Sequence, residues 1–171
     1  RVIIFMLMLF PLTANADSPQ GASIYKHVPN AKLIGEGVYS KLFWDIYKAM
    51  LFAPDGKYTG SAPYALSITY FASIEGADIA QRSITEMRAT GVKDEKKLAE
   101  WYDRLKNIMP DVADGSNLTA IAEKSGRTIF ISNGEVIGAV KDKDFAPAFF
   151  GIWLKPGTSD KDLRSKLLGG S

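Results

Sequence analysis

Residues Phe145–Gly169, FAPAFFGIWLKPGTSDKDLRSKLLG, decide the fold. An apolar run closes on Ile152-Trp153-Leu154, Pro156-Gly157 turns the chain, and a short segment ends at Leu167-Leu168-Gly169. Asp144 predicts an N-cap for a helix over Phe145–Ile152, with Pro147 tolerated in its first turn. Ser159 and Asp162 stand at capping-box spacing for a last helix that Gly169 ends.

Working outward from that segment, the period of two supplies a sheet. Ala31–Ser40 and Leu42–Ala53 read as strands, and Pro54-Asp55-Gly56 as a turn. Pro63–Phe71 alternates cleanly, with Tyr64, Leu66, Ile68 and Tyr70 against Ala65, Ser67 and Thr69. The middle is helical. Asp78–Thr90 carries Ile79, Ser83, Ile84 and Met87 on one stripe and stops at Gly91; Asp94–Met109 carries Leu98, Trp101, Tyr102 and Leu105 and ends before Pro110. Asn117–Lys124, Arg127–Ser132 and Glu135–Val140 then form a meander turned at Ser125-Gly126 and Asn133-Gly134. Strands, helices, strands and helices in that order make an α+β domain with a mostly antiparallel sheet packed against a layer of helices.

Composition bounds the function. The chain has 171 residues, 46% hydrophobic and 23% charged, which fits one domain with one core. A formal charge of +2 with no basic block excludes an electrostatic footprint for nucleic acid. Val2–Phe10 is continuously apolar, Pro11 breaks it, and Ala14-Asn15-Ala16 offers small residues to a signal peptidase. Residues 1–16 therefore read as a secretory signal peptide, 17–23 as a flexible arm, and 24–171 as the domain. The expected location is periplasmic or secreted, with no membrane span after signal cleavage. There is no Cys, so stability in an oxidising compartment comes from packing alone.

Chemistry-bearing motifs are few. His27 is the single imidazole, no Ser stands in a G-x-S-x-G elbow, and no metal-ligand spacing occurs, so no catalytic or metal residue and no cofactor is assigned. Gly35-Glu36-Gly37 precedes a strand and is too short to cradle phosphates. Trp44, Trp101 and Trp153 sit on apolar faces and read as core. Asn117-Leu118-Thr119 fits a glycosylation sequon. What remains is a pocket between sheet and helices that Tyr39, Tyr47, Tyr70 and Arg82 could reach, with Arg82 either anchoring a carboxylate or snorkelling to solvent.

The order of four segments resembles one family. These are GEGVYSKLFWDIYKAMLFAP (35–54), APYALSITYFASIEGADIAQRSITE (62–86), WYDRLKNIMPDVADGSNLTAI (101–121) and SNGEVIGAVKDKDFAPAFFGIWL (132–154). Together with the closing helix they are similar to the bacterial chalcone isomerase-like domains, over essentially all of the mature chain. The resemblance implies an open-faced sheet covered by helices. It also brings the family's catalytic set: an Arg after the early Gly, a Thr in the next strand and a Tyr opening the helix. Here Tyr39, Tyr47 and Ile79 stand at those positions, so the charge that would steady a phenolate is gone. Relatives without the set bind fatty acids through an Arg and a Tyr. The family's arginine position is not matched here, and Arg82 with Tyr39 or Tyr47 could play those parts as ligand-binding residues, by analogy of fold. Three expectations follow: a non-catalytic protein holding a small apolar or fatty-acid-like ligand, an isomerase using Tyr39 or Tyr47 as acid, or a partner-binding module.

Overall fold

The computed structural model describes residues 19–170, so the expected signal peptide 1–16 lies outside the described residues. Six strands form one antiparallel meander in the order β1 (Ala31–Lys41), β2 (Trp44–Pro54), β3 (Tyr64–Tyr70), β4 (Asn117–Ala122), β5 (Thr128–Ser132) and β6 (Glu135–Val140). Two helices, α2 (Gly76–Ala89) and α3 (Glu95–Ile108), connect β3 to β4, and α4 (Phe145–Leu154) and α5 (Lys161–Leu167) close the chain. These four helices cover the inner face. The domain is thus α+β with an antiparallel sheet, as the alternation and the order of elements predict, and open-faced, as the resemblance implies.

The expected stretch of flexible arm is helical from Pro19 onward. Helix α1 (Pro19–His27) lies on the outer face, where Ile24 and the following Val28 pack with Phe52, Ala65, Ile121, Ile129 and Ile131. Tertiary burial of two aliphatic side chains here overrides the Ser, Pro, Gln and Gly composition of residues 17–23. His27 ends that helix and its Nδ1 lies 3.0 Å from Glu123 Oε1. Arg127 Nε donates to the same carboxylate at 2.7 Å, and Arg127 above all, with His27 assisting, holds Glu123 below the usual carboxylate range. A carboxylate depressed in the folded state stabilises above its unfolded pKa and loses that contribution as pH falls through the folded value. Glu123→Gln is therefore expected to lower the melting temperature by about 2–4 °C at neutral pH, the difference shrinking as the pH falls through the depressed folded-state value of Glu123. A pH series of thermal melts on both proteins checks this.

Turn chemistry follows the sequence. Asn133 and Gly134 both take positive φ in the β5–β6 hairpin, and Gly91 lies at φ 110 just past α2. Asp94 caps α3 through Lys97 N at 3.0 Å. At α5 the capping side chain is Asp160, which accepts from Leu163 N at 2.9 Å, in place of the expected Ser159. Asp144 occupies the N-cap of α4 without a side-chain cap bond; its carboxylate pairs with Lys97 of α3. Helix α2 is capped from a distance, Gly76 N donating to Asp111 Oδ1 at 2.8 Å.

The two faces of β3 part as expected. Tyr64, Leu66, Ile68 and Tyr70 enter the main core, which centres on Phe130, Phe145, Phe149 and Phe150. On the outer face Ser67 and Thr69 accept from Asn117 Nδ2 at 2.9 and 3.2 Å, and Thr119 bonds Ser67 at 3.0 Å. Asn117 is 2% exposed with its amide engaged, so the sequon is closed to glycosylation in the folded chain. Trp101 and Trp153 are buried as expected, but Trp44 is not. It stands at the tip of the β1–β2 hairpin, beyond the reach of the helix layer.

Candidate functional site

A cavity of about 330 Å³ lies between the inner face of β1–β4 and helices α2, α4 and α5. The strands contribute Ile68, Tyr70 and Leu118, α2 contributes Ile79 and Ser83, and α4 contributes Phe149, Ile152 and Trp153. Of the charged lining residues, Lys41, Asp78, Arg82 and Asp160 are the more exposed, whereas Glu86 is buried. A largely apolar interior with a few buried polar groups and exposed charges at the rim suits an amphipathic ligand.

Strand register assembles the polar part of the wall. Tyr39 pairs with Tyr47 across β1 and β2, and Tyr47 with Tyr70 across β2 and β3, so one row of the sheet carries three phenols. The first two rings stack with centroids 5.0 Å apart; the second and third meet edge-on at 6.0 Å. Beside this row the pairing slips from Tyr39↔Tyr47 to Ser40↔Asp45, leaving Ile46 as the bulged residue. The bulge breaks the two-residue alternation and brings both Ile46 and Tyr47 to the cavity.

Trp153 Nε1 donates to the Tyr47 hydroxyl at 2.9 Å. Burial pushes the Tyr47 pKa well above the ordinary tyrosine value, the Trp153 hydrogen bond offsetting only part of it. Burial does the same at Tyr70. Both are neutral phenols throughout the physiological range, able to donate or accept hydrogen bonds and poor sources of phenolate. The Tyr70 hydroxyl has no hydrogen-bond partner among the described residues although the side chain is buried, which leaves it free to meet a ligand in the cavity.

Arg82 lines the same cavity from α2, with its side chain 58% exposed. Its Nη2 lies 2.7 Å from Glu86 Oε1, and Glu86 Oε2 accepts from Ser159 Oγ at 3.0 Å. The arginine is therefore a rim residue whose charge is already paired, an arrangement between the buried anchor and the free snorkel. Thr158 fixes the α4–α5 loop that presents Ser159, donating to Ile152 O at 2.6 Å. Ile79, at the position of the family's catalytic tyrosine, is simply an aliphatic part of the wall.

The structure thus brings Tyr39, Tyr47 and Arg82 to one cavity. Sequence reasoning missed Glu86, whose four-residue spacing from Arg82 was the available signal, and the role of Ser159. It also read Trp153 as core alone; no local signal links it to Tyr47, 106 residues away.

A helix-covered, six-stranded antiparallel meander with a cavity between its layers defines a class, the open-faced chalcone isomerase fold. This chain belongs to the chalcone isomerase-like family, whose profile matches residues 21–169. It is 31% identical over 137 residues to a Haemophilus influenzae protein described only as uncharacterized, a match covering 80% of this chain and 67% of the relative. Among solved structures it is similar to an Arabidopsis thaliana fatty-acid binding protein, with a TM-score of 0.62 and 13% identity over 82% of this chain and 88% of the other. That likeness is one of fold.

Proposed function

We propose that this protein is a non-catalytic carrier or receptor for a small amphipathic ligand, of which a fatty acid is the leading class. The observation that carries the reading is the cavity itself: largely apolar walls, exposed charges at the rim, one buried carboxylate (Glu86) already paired with Arg82 and Ser159, and a Tyr70 hydroxyl without a partner among the described residues. The apolar chain of the ligand lies against Ile68, Leu118, Phe149 and Ile152, while its head group meets the tyrosine row or the rim cations Lys41 and Arg82. The fatty-acid binding protein of the same fold supports this reading by analogy.

Chalcone-type isomerisation is less well supported. No cation stands at the Tyr39 position, and the buried Tyr47 holds its proton too tightly to serve as an efficient acid near neutrality. A chalcone turnover assay separates the two readings, since any rate that disappears in Tyr47→Phe overturns the non-catalytic one.

The ligand reading is tested by native mass spectrometry of protein from its own host, followed by titration with dodecanoate. Copurified lipid or saturable binding is expected, with a rise in melting temperature that grows with ligand concentration. Neither lipid nor binding would overturn it. Ser83 lines the cavity and donates to its own helix at Ile79 O, so Ser83→Phe projects a ring into the space without leaving a buried polar group. Dodecanoate affinity is expected to fall about tenfold or more, a threshold of roughly 1.4 kcal/mol of lost binding.

The export reading rests on Val2–Phe10 and the Ala14-Asn15-Ala16 site, and N-terminal sequencing of the mature protein tests it: Asp17 or a near neighbour is expected as the first residue.

A further inference from the structure

The β1–β2 hairpin ends in three consecutive large apolar residues. Leu42, Phe43 and Trp44 are 86, 98 and 72% exposed. Two separate physical terms oppose this placement. Water solvates the three side chains poorly, and none of them contributes to either core cluster. The turn geometry is also unfavourable, since Leu42 sits at φ 57, in the left-handed region that hairpin turns normally give to Gly or Asn. The β5–β6 hairpin of the same chain uses Asn133-Gly134 for that purpose. Folding alone therefore explains neither the identity nor the exposure of the tip.

Position supplies the second observation. Lys41 and Ile46, which bracket the tip, both line the cavity, and Tyr39 and Tyr47 lie directly behind them. The apolar tip is thus continuous with the cavity wall. We propose that this hairpin docks the protein on a lipid bilayer. Leu42, Phe43 and Trp44 enter the boundary between head groups and acyl chains, Lys41 reaches the lipid phosphates, and the adjoining cavity wall is brought to the membrane surface.

The chemistry of the tip favours a bilayer over a protein. A hairpin tip of three residues is convex and offers far less than the roughly 1,000 Å² that a stable protein interface needs. Aliphatic and aromatic side chains with a tryptophan and a flanking lysine match the gradient of a membrane interface, where Trp settles among the head groups and Lys extends toward phosphate. The proposal goes beyond the ligand reading and stands without it.

Trp44 reports its own environment, so the test uses the whole chain with vesicles of equimolar phosphatidylcholine and phosphatidylglycerol. Subtracting the emission of Trp44→Phe from that of the wild type isolates the tip from the buried Trp101 and Trp153. Vesicles are expected to shift this difference emission to the blue, and lipids brominated in their acyl chains to quench it. The Leu42→Ser/Phe43→Ser double variant should need at least about tenfold more lipid for the same response, because the apolar area driving insertion is gone. Its melting temperature should be within about 2 °C of wild type, the replaced side chains being exposed. A Trp44 signal indifferent to vesicles overturns the proposal, even if the chain adheres to them through its apolar N-terminal residues. So does a double variant that responds like wild type, or Trp44 shielded by a protein partner while vesicles leave it unchanged. Dodecanoate titration without vesicles reads the cavity separately, so either idea can fail alone.

Discussion

Gly35→Ala is expected to destabilise the fold by about 3 kcal/mol or more, and to lower the melting temperature by roughly 6–12 °C. A Cβ at this position would run into the Lys166 carbonyl, with Leu167 O at 2.8 Å and Gly169 N at 3.0 Å just beyond. These are backbone atoms of α5 and its end, so no rotamer change relieves the overlap. At Gly37, two residues on, a Cβ would stand 2.7 Å from Leu163 Cδ1, a side-chain atom that can shift, so the approach there is close but more forgiving. The two glycines let α5 lie directly on β1, and α5 with its preceding loop brings Asp160 and Leu163 to the cavity. Loss of α5 packing should therefore weaken dodecanoate binding along with stability. Thermal melts and titration measure both; a Gly35→Ala protein with wild-type melting temperature would show that α5 does not pack this way.

Phe149→Ala is expected to have an effect of at least the same size, a loss of about 3–5 kcal/mol. Its ring stacks on Phe145 with centroids 5.3 Å apart and meets Phe130, Phe150 and Trp153 edge-on between 5.3 and 5.5 Å. It also lines the cavity, so truncation joins a new void to existing space instead of leaving a sealed hole. Part of the lost stability should return when a small apolar molecule fills the enlargement. Melting Phe149→Ala with and without saturating toluene tests this, with a larger ligand-dependent rise expected in the variant than in the wild type. Equal rises would mean that the void collapses or that Phe149 does not face the cavity.

Much of the fold was legible along the chain because strand and helix periods are local properties. Alternation in Tyr64–Tyr70 separates the core face from the polar face, and Asn133-Gly134 marks its hairpin without reference to any distant residue. Departures came where distant contacts decide. The run from Pro19, opening Pro-Gln-Gly, has little reason to be helical until the outer sheet face offers Phe52 and Ile121 to Ile24 and Val28. Trp44 has the composition of a core residue, yet a two-residue turn carries it past the helix layer. Ser159 has the spacing of a cap but bonds Glu86, and Asp160 takes the helix end.

The candidate site divides in the same way. Tyr39, Tyr47 and Arg82 were identifiable as amphipathic residues on elements facing a common interior, and the missing family arginine and tyrosine were identifiable from motif positions. Their arrangement was not. Whether Tyr39, Tyr47 and Tyr70 form one row depends on the register of three strands, and a shift of one residue would turn each phenol to the opposite face. Whether Arg82 is a free anchor depends on Glu86 and the loop that holds Ser159. Sequence by itself determined the order of elements, their turns and the scaffold, because these follow from preferences of neighbouring residues. Tertiary structure alone decided which phenols are buried and unpaired, which charge is neutralised and which apolar side chains are left in water, because those depend on contacts between segments far apart in the chain.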